Sequence, residues 1–177
     1  VATELALAVC YPSAGNIGGG GFMIYRKNDG KVGALDYREK APKKSSSDMY
    51  LDGKGEIIED LSMIGGLSIG VPGTVAGVFE VHDKFGSLAI EELIKPAIDL
   101  ANKGVKVTKK QSEKINENLE YLKLANKGPI LFSNGFKTND TIKYKNLAST
   151  LTSIMLNGKD EFYKGETAKK LVKYIQE

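Results

Sequence analysis

Arginine is the residue type whose placement in this sequence most directly suggests a chemical role. Of the 25 lysine and arginine residues, only Arg26 and Arg38 are arginine. A guanidinium group can bind a carboxylate through two parallel hydrogen bonds, whereas an ammonium group acts as a point charge. Arg38 lies in the stretch ALDYREKAP. It can therefore pair weakly at the surface with Asp36 or Glu39, or bind a substrate carboxylate, and its own neighbourhood leaves both interpretations open.

Other catalytic groups are scarce. The one histidine, His82, falls on the apolar stripe of a predicted helix, which favours a partly buried, hydrogen-bonded side chain over a catalytic one. Asp83 cannot orient it, because successive helical residues do not face each other. The one cysteine, Cys10, excludes an internal disulfide and a multi-cysteine metal site, and its apolar neighbours favour a buried, unreactive thiol. We therefore predict no catalytic residue, metal or cofactor in this chain.

A glycine-rich run begins at Gly15 and reads G-N-I-G-G-G-G-F. It contains no G-x-G-x-x-G and no lysine followed by serine or threonine, and it leads into a predicted strand instead of a helix, so it does not match a phosphate-binding loop. The run favours a structural turn where another backbone segment passes closely over direct contact with a ligand.

The composition is that of one globular domain. The 177 residues are 41% hydrophobic and 27% charged, and we predict a single domain over residues 1–177 that is incomplete. The net charge of +3 is spread along the chain, which argues against a nucleic-acid partner. No apolar run approaches the roughly 18 residues that span a bilayer, so we predict no transmembrane segment. Because VATELALAVC is typical of a helix already under way, we expect the natural protein to begin earlier.

The predicted elements make an α+β fold that is mostly helical. Residues 22–37 are predicted to form a β-hairpin around Asn28, Asp29 and Gly30, with Arg38 following its second strand. An isolated hairpin is marginally stable, so we expect that its sheet is not all in this chain.

Apolar residues recur at helical spacing from Gly73 onward. Pro96 is predicted to kink or divide the helix over residues 90–101, and Thr108 with Gln111 to cap the helix over residues 108–124. The predicted helices cover residues 74–85, 90–101, 108–124, 147–155 and 168–175.

Five stretches of this sequence closely resemble the large subunit of γ-glutamyltranspeptidase, in the same order and at the family's spacing. They span nearly the whole chain and read PSAGNIGGGGFMIYR, ALDYREKAP, GVPGTVAGVFEVHDKFG, KPAIDLANKGVKVT and DEFYKGETAKKL.

The resemblance implies an N-terminal-nucleophile hydrolase with an αββα sandwich, made as one precursor that cuts itself into large and small subunits. Such enzymes move a γ-glutamyl group from glutathione or related amides to water or an amino acid. Their nucleophile is the first threonine of the small subunit, whose α-amine, with an ordinary pKa of about 7.7 to 8.0, can act as base. The family's F/Y-R-E motif falls on Tyr37, Arg38 and Glu39, so the resemblance implies that Arg38 binds the α-carboxylate of the substrate.

The sequence also departs from a whole enzyme of this family. No Thr-Thr-His-like start of a small subunit occurs in the 177 residues, so we expect the isolated chain to be inactive. Its expected partners are the small subunit, the rest of the large subunit and the small-molecule γ-glutamyl substrate, and the resemblance implies an exported protein. Two alternatives remain: a relative acting on poly-γ-glutamate or another acyl amide, and a non-catalytic anion-binding or scaffolding protein.

Overall fold

The computed structural model describes residues 1–176, and the predicted α+β class is confirmed as a helical body with two small antiparallel sheets. The elements are α1 (Ala2–Cys10), β1 (Phe22–Arg26), β2 (Val32–Asp36), α2 (Thr74–Phe85), α3 (Ile90–Lys103), β3 (Val105–Lys106), α4 (Lys109–Glu117), α5 (Leu119–Leu124), β4 (Thr141–Ile142), α6 (Lys145–Asn157), α7 (Lys159–Lys164) and α8 (Glu166–Gln176). A single 3-10 turn, Gly66–Ser68, interrupts the long irregular segment between β2 and α2.

The predicted hairpin over residues 22–37 is confirmed. Strands β1 and β2 pair antiparallel along their full length. The backbone amide of Lys27 donates to the carbonyl of Lys31 (2.8 Å), and Gly30 takes the left-handed conformation (φ 86°) that closes the turn.

Helix α3 lies at the centre of the core and packs against α1 and α6. Its apolar residues recur every three or four positions, so one face is continuously apolar. Burying a leucine or isoleucine contributes about 1.5 to 3 kcal/mol, so this face supplies much of the packing energy. The buried side chains on these helices are Leu5, Ala8, Val9, Ile94, Ala97, Ile98, Ala101, Ala148, Leu151 and Ile154.

Pro96 does not divide α3, which runs unbroken from Ile90 to Lys103. Proline lacks the amide that would bond to the carbonyl of Glu92. Both residues lie on the exposed side of the helix, where water can bind that carbonyl, so the lost hydrogen bond does not break the helix. Of the two outcomes predicted for Pro96, a kink or a division of the helix, the division is therefore wrong.

The predicted cap at Thr108 is confirmed. The amide of Gln111 donates to the Thr108 hydroxyl (3.2 Å), and the amide of Thr108 donates to Oε1 of Gln111 (3.0 Å). This reciprocal pair begins α4 and satisfies two amides that the helix cannot bond internally.

The prediction of one long helix over residues 108–124 is wrong, because the helix is interrupted at Asn118 and forms α4 and α5. Asparagine side chains compete for backbone hydrogen bonds. The Asn118 side chain donates to the carbonyl of Lys114 (2.8 Å), while Asn116 bonds both the amide and the carbonyl of Phe136 (3.1 Å each). A distant loop therefore anchors the segment where the helix ends.

Helix α2 contacts one face of the hairpin. On this inner face, the ring centroids of Tyr25 and Phe85 are 4.7 Å apart, and Phe85 lies at the end of α2. On the outer face, Phe22, Ile24 and Val32 are 65%, 83% and 72% exposed. Within residues 1–176, this apolar face therefore has no covering layer.

No helix within residues 1–176 combines the length and apolar character needed to cross a bilayer.

Candidate functional site

Arg38 lies just beyond the last paired residue of the hairpin. The amide of Tyr37 donates to the carbonyl of Gly21 (3.0 Å), and Arg38 follows with an exposed side chain. Asp36 Oδ1 accepts the backbone amide of Arg38 (2.9 Å), and no ion pair to the guanidinium forms among residues 1–176. The surface pair with Asp36 or Glu39 is therefore not formed.

The glycine run positions the backbone of Arg38 from one side. A Cβ atom added to Gly20 would lie 2.8 Å from Cα of Arg38 and 2.7 Å from both the carbonyl oxygen of Tyr37 and the amide nitrogen of Glu39. These contacts are too short for any side chain, so only glycine allows the two backbone segments to approach this closely. The predicted role as a turn beside a second backbone segment is confirmed.

A second segment, residues 70–73, holds the same backbone from the other side. Lys40 and Val71 exchange two backbone hydrogen bonds, of 3.1 and 2.7 Å. A Cβ atom on Gly73 would overlap the carbonyl group of Tyr37. Residues 37–40 therefore run between the glycine run and the 70–73 segment, which limits the movement of the main chain that carries Arg38.

The ring of Tyr37 fixes the residue before the arginine. Added Cβ atoms on Gly21 and Gly77 would lie 2.9 Å from Cε2 and 2.7 Å from Cδ2 of this ring, so it fits against both glycines. Partial burial, and secondarily the carboxylate of Glu4, raises the pKa of Tyr37 above its ordinary value of 10.0. The phenol therefore stays neutral and packed at physiological pH.

His82 has the environment predicted for it. Its side chain is 20% exposed, and Nε2 lies 2.8 Å from the carbonyl oxygen of Leu88. Oδ1 of Asp83 is 3.9 Å from Nδ1, beyond hydrogen-bonding distance. His82 therefore links the end of α2 to the following loop, and Asp83 does not orient its ring.

Cys10 departs from its prediction, because its side chain is only partly buried. The last turn of α1 places Ala8 and Val9 in the core, which leaves Cys10 at the margin of the packed face.

Within residues 1–176, no group of three or more histidine, cysteine or acidic residues could hold a metal ion.

Tyr163 contributes to this region although sequence analysis assigned it no role. Its hydroxyl donates to the carbonyl of Pro72 (2.9 Å) and accepts from the amide of Ala76 (3.0 Å). Tyr163 lies in the stretch DEFYKGETAKKL, so the resemblance pointed to this part of the chain. Its hydrogen-bond partners lie about 90 residues earlier, and only the folded structure shows that they are close to it.

Comparison with known proteins decides the family. A family model described as Gamma-glutamyltranspeptidase matches residues 1–177. The chain belongs to the γ-glutamyltranspeptidase family. The resemblance of the five stretches is therefore confirmed over the whole sequence.

Individual γ-glutamyltranspeptidase relatives agree. A Glutathione hydrolase proenzyme from Pseudomonas aeruginosa is 48% identical over 180 residues, covering 100% of this chain and 31% of the relative. The crystal structure of the Helicobacter pylori γ-glutamyltranspeptidase is 40% identical with a TM-score of 0.89, covering 97% of this chain and 50% of that one. A γ-glutamyltranspeptidase from Pseudomonas nitroreducens complexed with L-DON is 46% identical, with a TM-score of 0.88 and coverage of 99% and 52%. The chain thus spans about a third of the curated relative.

Proposed function

We propose that the protein carrying this chain transfers or hydrolyses the γ-glutamyl group of glutathione and related γ-glutamyl amides, and that Arg38 binds the α-carboxylate of that group. One observation supports the role of Arg38 above all. Its guanidinium is exposed and unpaired among residues 1–176, while its main chain is held on both sides.

The geometry suits carboxylate recognition. A guanidinium with no internal carboxylate partner keeps both of its hydrogen-bonding edges available, and a rigid main chain reduces the entropy lost when the substrate binds. The α-carboxylate lies at the opposite end of the glutamyl group from the γ-amide. Arg38 would therefore position the reacting carbonyl without contacting it, and its loss is expected to act mainly on KM.

The remaining machinery is proposed to come from outside these 177 residues. A threonine at the start of the small subunit, released by self-cleavage of the precursor, supplies the nucleophile and its α-amine the base. The small subunit also supplies the oxyanion donors and the other contacts to the glutamyl group. The exposed outer face of the hairpin then packs against the rest of an αββα sandwich, so residues 1–177 are one incomplete domain. We also propose that the protein is exported.

The experiment compares Arg38→Lys with Arg26→Lys in the complete protein. Losing one partner of a desolvated charge pair costs about 2 to 5 kcal/mol, so Arg38→Lys should raise the donor KM roughly 30-fold to a few thousand-fold. Self-cleavage should continue, because Arg38 is not proposed to act in it. Arg26 is the control, because it lies at the turn end of the other hairpin strand, opposite the end that leads to Arg38, and its variant should stay within about threefold of wild type.

Three results would redirect the proposal. A KM within about threefold of wild type for Arg38→Lys would make Arg38 a surface residue. Preference for poly-γ-glutamate over glutathione would favour the alternative substrate class. Absence of both self-cleavage and turnover on every γ-glutamyl donor would favour a non-catalytic anion-binding or scaffolding protein.

A further inference from the structure

The N-terminus of α2 is capped by a residue distant in sequence. Its N-cap residue is Gly73, which has no side chain to accept the first amides of the helix. The amide of Thr74 donates instead to the carbonyl of Gly19 (3.0 Å), and the amide of Ala76 donates to the hydroxyl of Tyr163 (3.0 Å). The phenol of Tyr163 therefore performs the task of a missing N-cap side chain.

The same hydroxyl also holds the residue before the cap. It donates its proton to the carbonyl of Pro72 (2.9 Å) while it accepts from Ala76, so one oxygen joins the two sides of the corner formed by residues 72–76. The pKa of Tyr163 is raised, because burial outweighs the opposing effect of the Ala76 amide. The phenol therefore remains protonated at neutral pH and can make both bonds.

This corner borders the main chain of Arg38. Gly73 lies directly against the carbonyl of Tyr37, and Val71 is paired with Lys40. If the hydroxyl were removed, the amide of Ala76 and the carbonyl of Pro72 would both lose a partner. The corner would then be free to shift, and the segment that carries Arg38 would lose part of its support.

We propose that Tyr163 is a positioning residue for substrate binding, and that its hydroxyl acts on Arg38 through the 72–76 corner. This inference rests on the proposed function, since it needs Arg38 to bind the donor carboxylate. Tyr163 itself is not proposed to touch the substrate.

The test is Tyr163→Phe in the complete protein, because this change removes one oxygen atom and keeps the ring. Hydrogen-bond losses of this kind suggest a rise in the γ-glutamyl donor KM of about tenfold, with kcat within about threefold and normal self-cleavage. The matched control is Tyr174→Phe. It removes a hydroxyl that donates to Oδ1 of Asn126 (3.0 Å) on an exposed part of α8, and it should leave KM unchanged.

A double variant separates positioning from general stability. If Tyr163 acts through Arg38, adding Tyr163→Phe to Arg38→Lys should raise KM by less than about threefold more, because coupled residues are not additive. A purely structural role would lower the melting temperature or the yield of active enzyme without this dependence on Arg38.

The outcomes distinguish the inference from the function on which it rests. If Arg38→Lys raises KM and Tyr163→Phe does not, the inference is overturned and the function stands. If Arg38→Lys leaves KM unchanged, the proposed role of Arg38 fails first, and the inference fails with it. If Tyr163→Phe does not fold, Ala76→Pro removes the amide that donates to the same hydroxyl and keeps Tyr163, and a normal KM in that variant would overturn the proposed route.

Discussion

The backbone amide of Arg38 donates a 2.9 Å hydrogen bond to Oδ1 of Asp36. The carboxylate two residues before the arginine thus supports its main chain and does not neutralise its side chain. This arrangement orders the backbone at the exit of β2 while the guanidinium stays available to a ligand.

Substitution of Asp36 tests this division of roles. Asparagine keeps an oxygen that can accept the Arg38 amide, so Asp36→Asn should leave the donor KM within about threefold of wild type. Alanine removes the acceptor, and a lost hydrogen bond of about 1 kcal/mol suggests a KM about fivefold higher.

Asp29→Ala is the control for this comparison. Asp29 Oδ1 accepts the amide of Lys31 (3.0 Å) with the same two-residue spacing, but at the hairpin turn. That variant should not change KM. If Asp36→Asn raised KM as much as Asp36→Ala, the charge of Asp36 would matter more than its hydrogen bond.

Gly20→Ala should damage substrate binding from the opposite side of the arginine. The new Cβ atom would meet backbone atoms of residues 37–39 at 2.7 to 2.8 Å, and backbone cannot yield as a flexible side chain can. We expect a donor KM raised by at least about tenfold, since displacing a binding group by about 1 Å can cost about 100-fold.

Gly53→Ala is the control, because a Cβ atom there meets nothing within 4 Å. Steady-state kinetics on a γ-glutamyl anilide and the melting temperature of both variants provide the comparison. Wild-type kinetics for Gly20→Ala would show that the approach to Arg38 tolerates a side chain.

The purified 177-residue chain should have no γ-glutamyl transfer or amidase activity. An N-terminal nucleophile needs a hydroxyl or thiol on the first residue of its chain, and this polypeptide presents Val1 there. Internal threonines have no free α-amine, and Thr74 is in addition buried, with its amide bonded to Gly19.

The assay mixes the chain with a chromogenic γ-glutamyl anilide and follows the release of the aniline against a buffer blank. Turnover that survives repurification and disappears in Thr74→Ala or His82→Ala would place an active centre inside this chain and contradict the prediction.

Tyr144 should make the protein less stable in alkaline solution. Burial, with a smaller effect of Cys10, raises the pKa of Tyr144 from 10.0 to about 12. Because the folded state favours the protonated phenol, its contribution to stability is complete below pH 10 and decreases as the pH rises towards 12. At about pH 11 the loss is about 1.4 kcal/mol.

Urea unfolding of wild type and Tyr144→Phe at several pH values measures this loss. The free energy of unfolding of the wild type should fall more steeply above about pH 10, because phenylalanine has no proton to lose. Every other ionisable group is the same in both proteins, so the difference between the two profiles reports Tyr144. Parallel pH profiles would show that Tyr144 ionises equally in the folded and unfolded states.

Features of this protein that depend on neighbouring residues were predictable. The hairpin was predicted from two strand-forming stretches on either side of a turn that contains Gly30. The cap of α4 was predicted from the spacing of Thr108 and Gln111. Arg38 stood out as a binding candidate because it is one of only two arginines in a chain rich in lysine. In each case the information lies within a few residues, where hydrogen bonding and helical or strand periodicity act.

The surroundings of Arg38 were decided by tertiary structure. Gly20, Gly73 and Tyr163 lie far apart in the sequence, and only the folded chain brings them to the backbone of residues 37–40 or to the corner that supports it. The division at Asn118 likewise accompanies the binding of Asn116 to the distant Phe136. Periodicity cannot report such contacts, because each depends on how close two separate backbone segments come once the helices have packed.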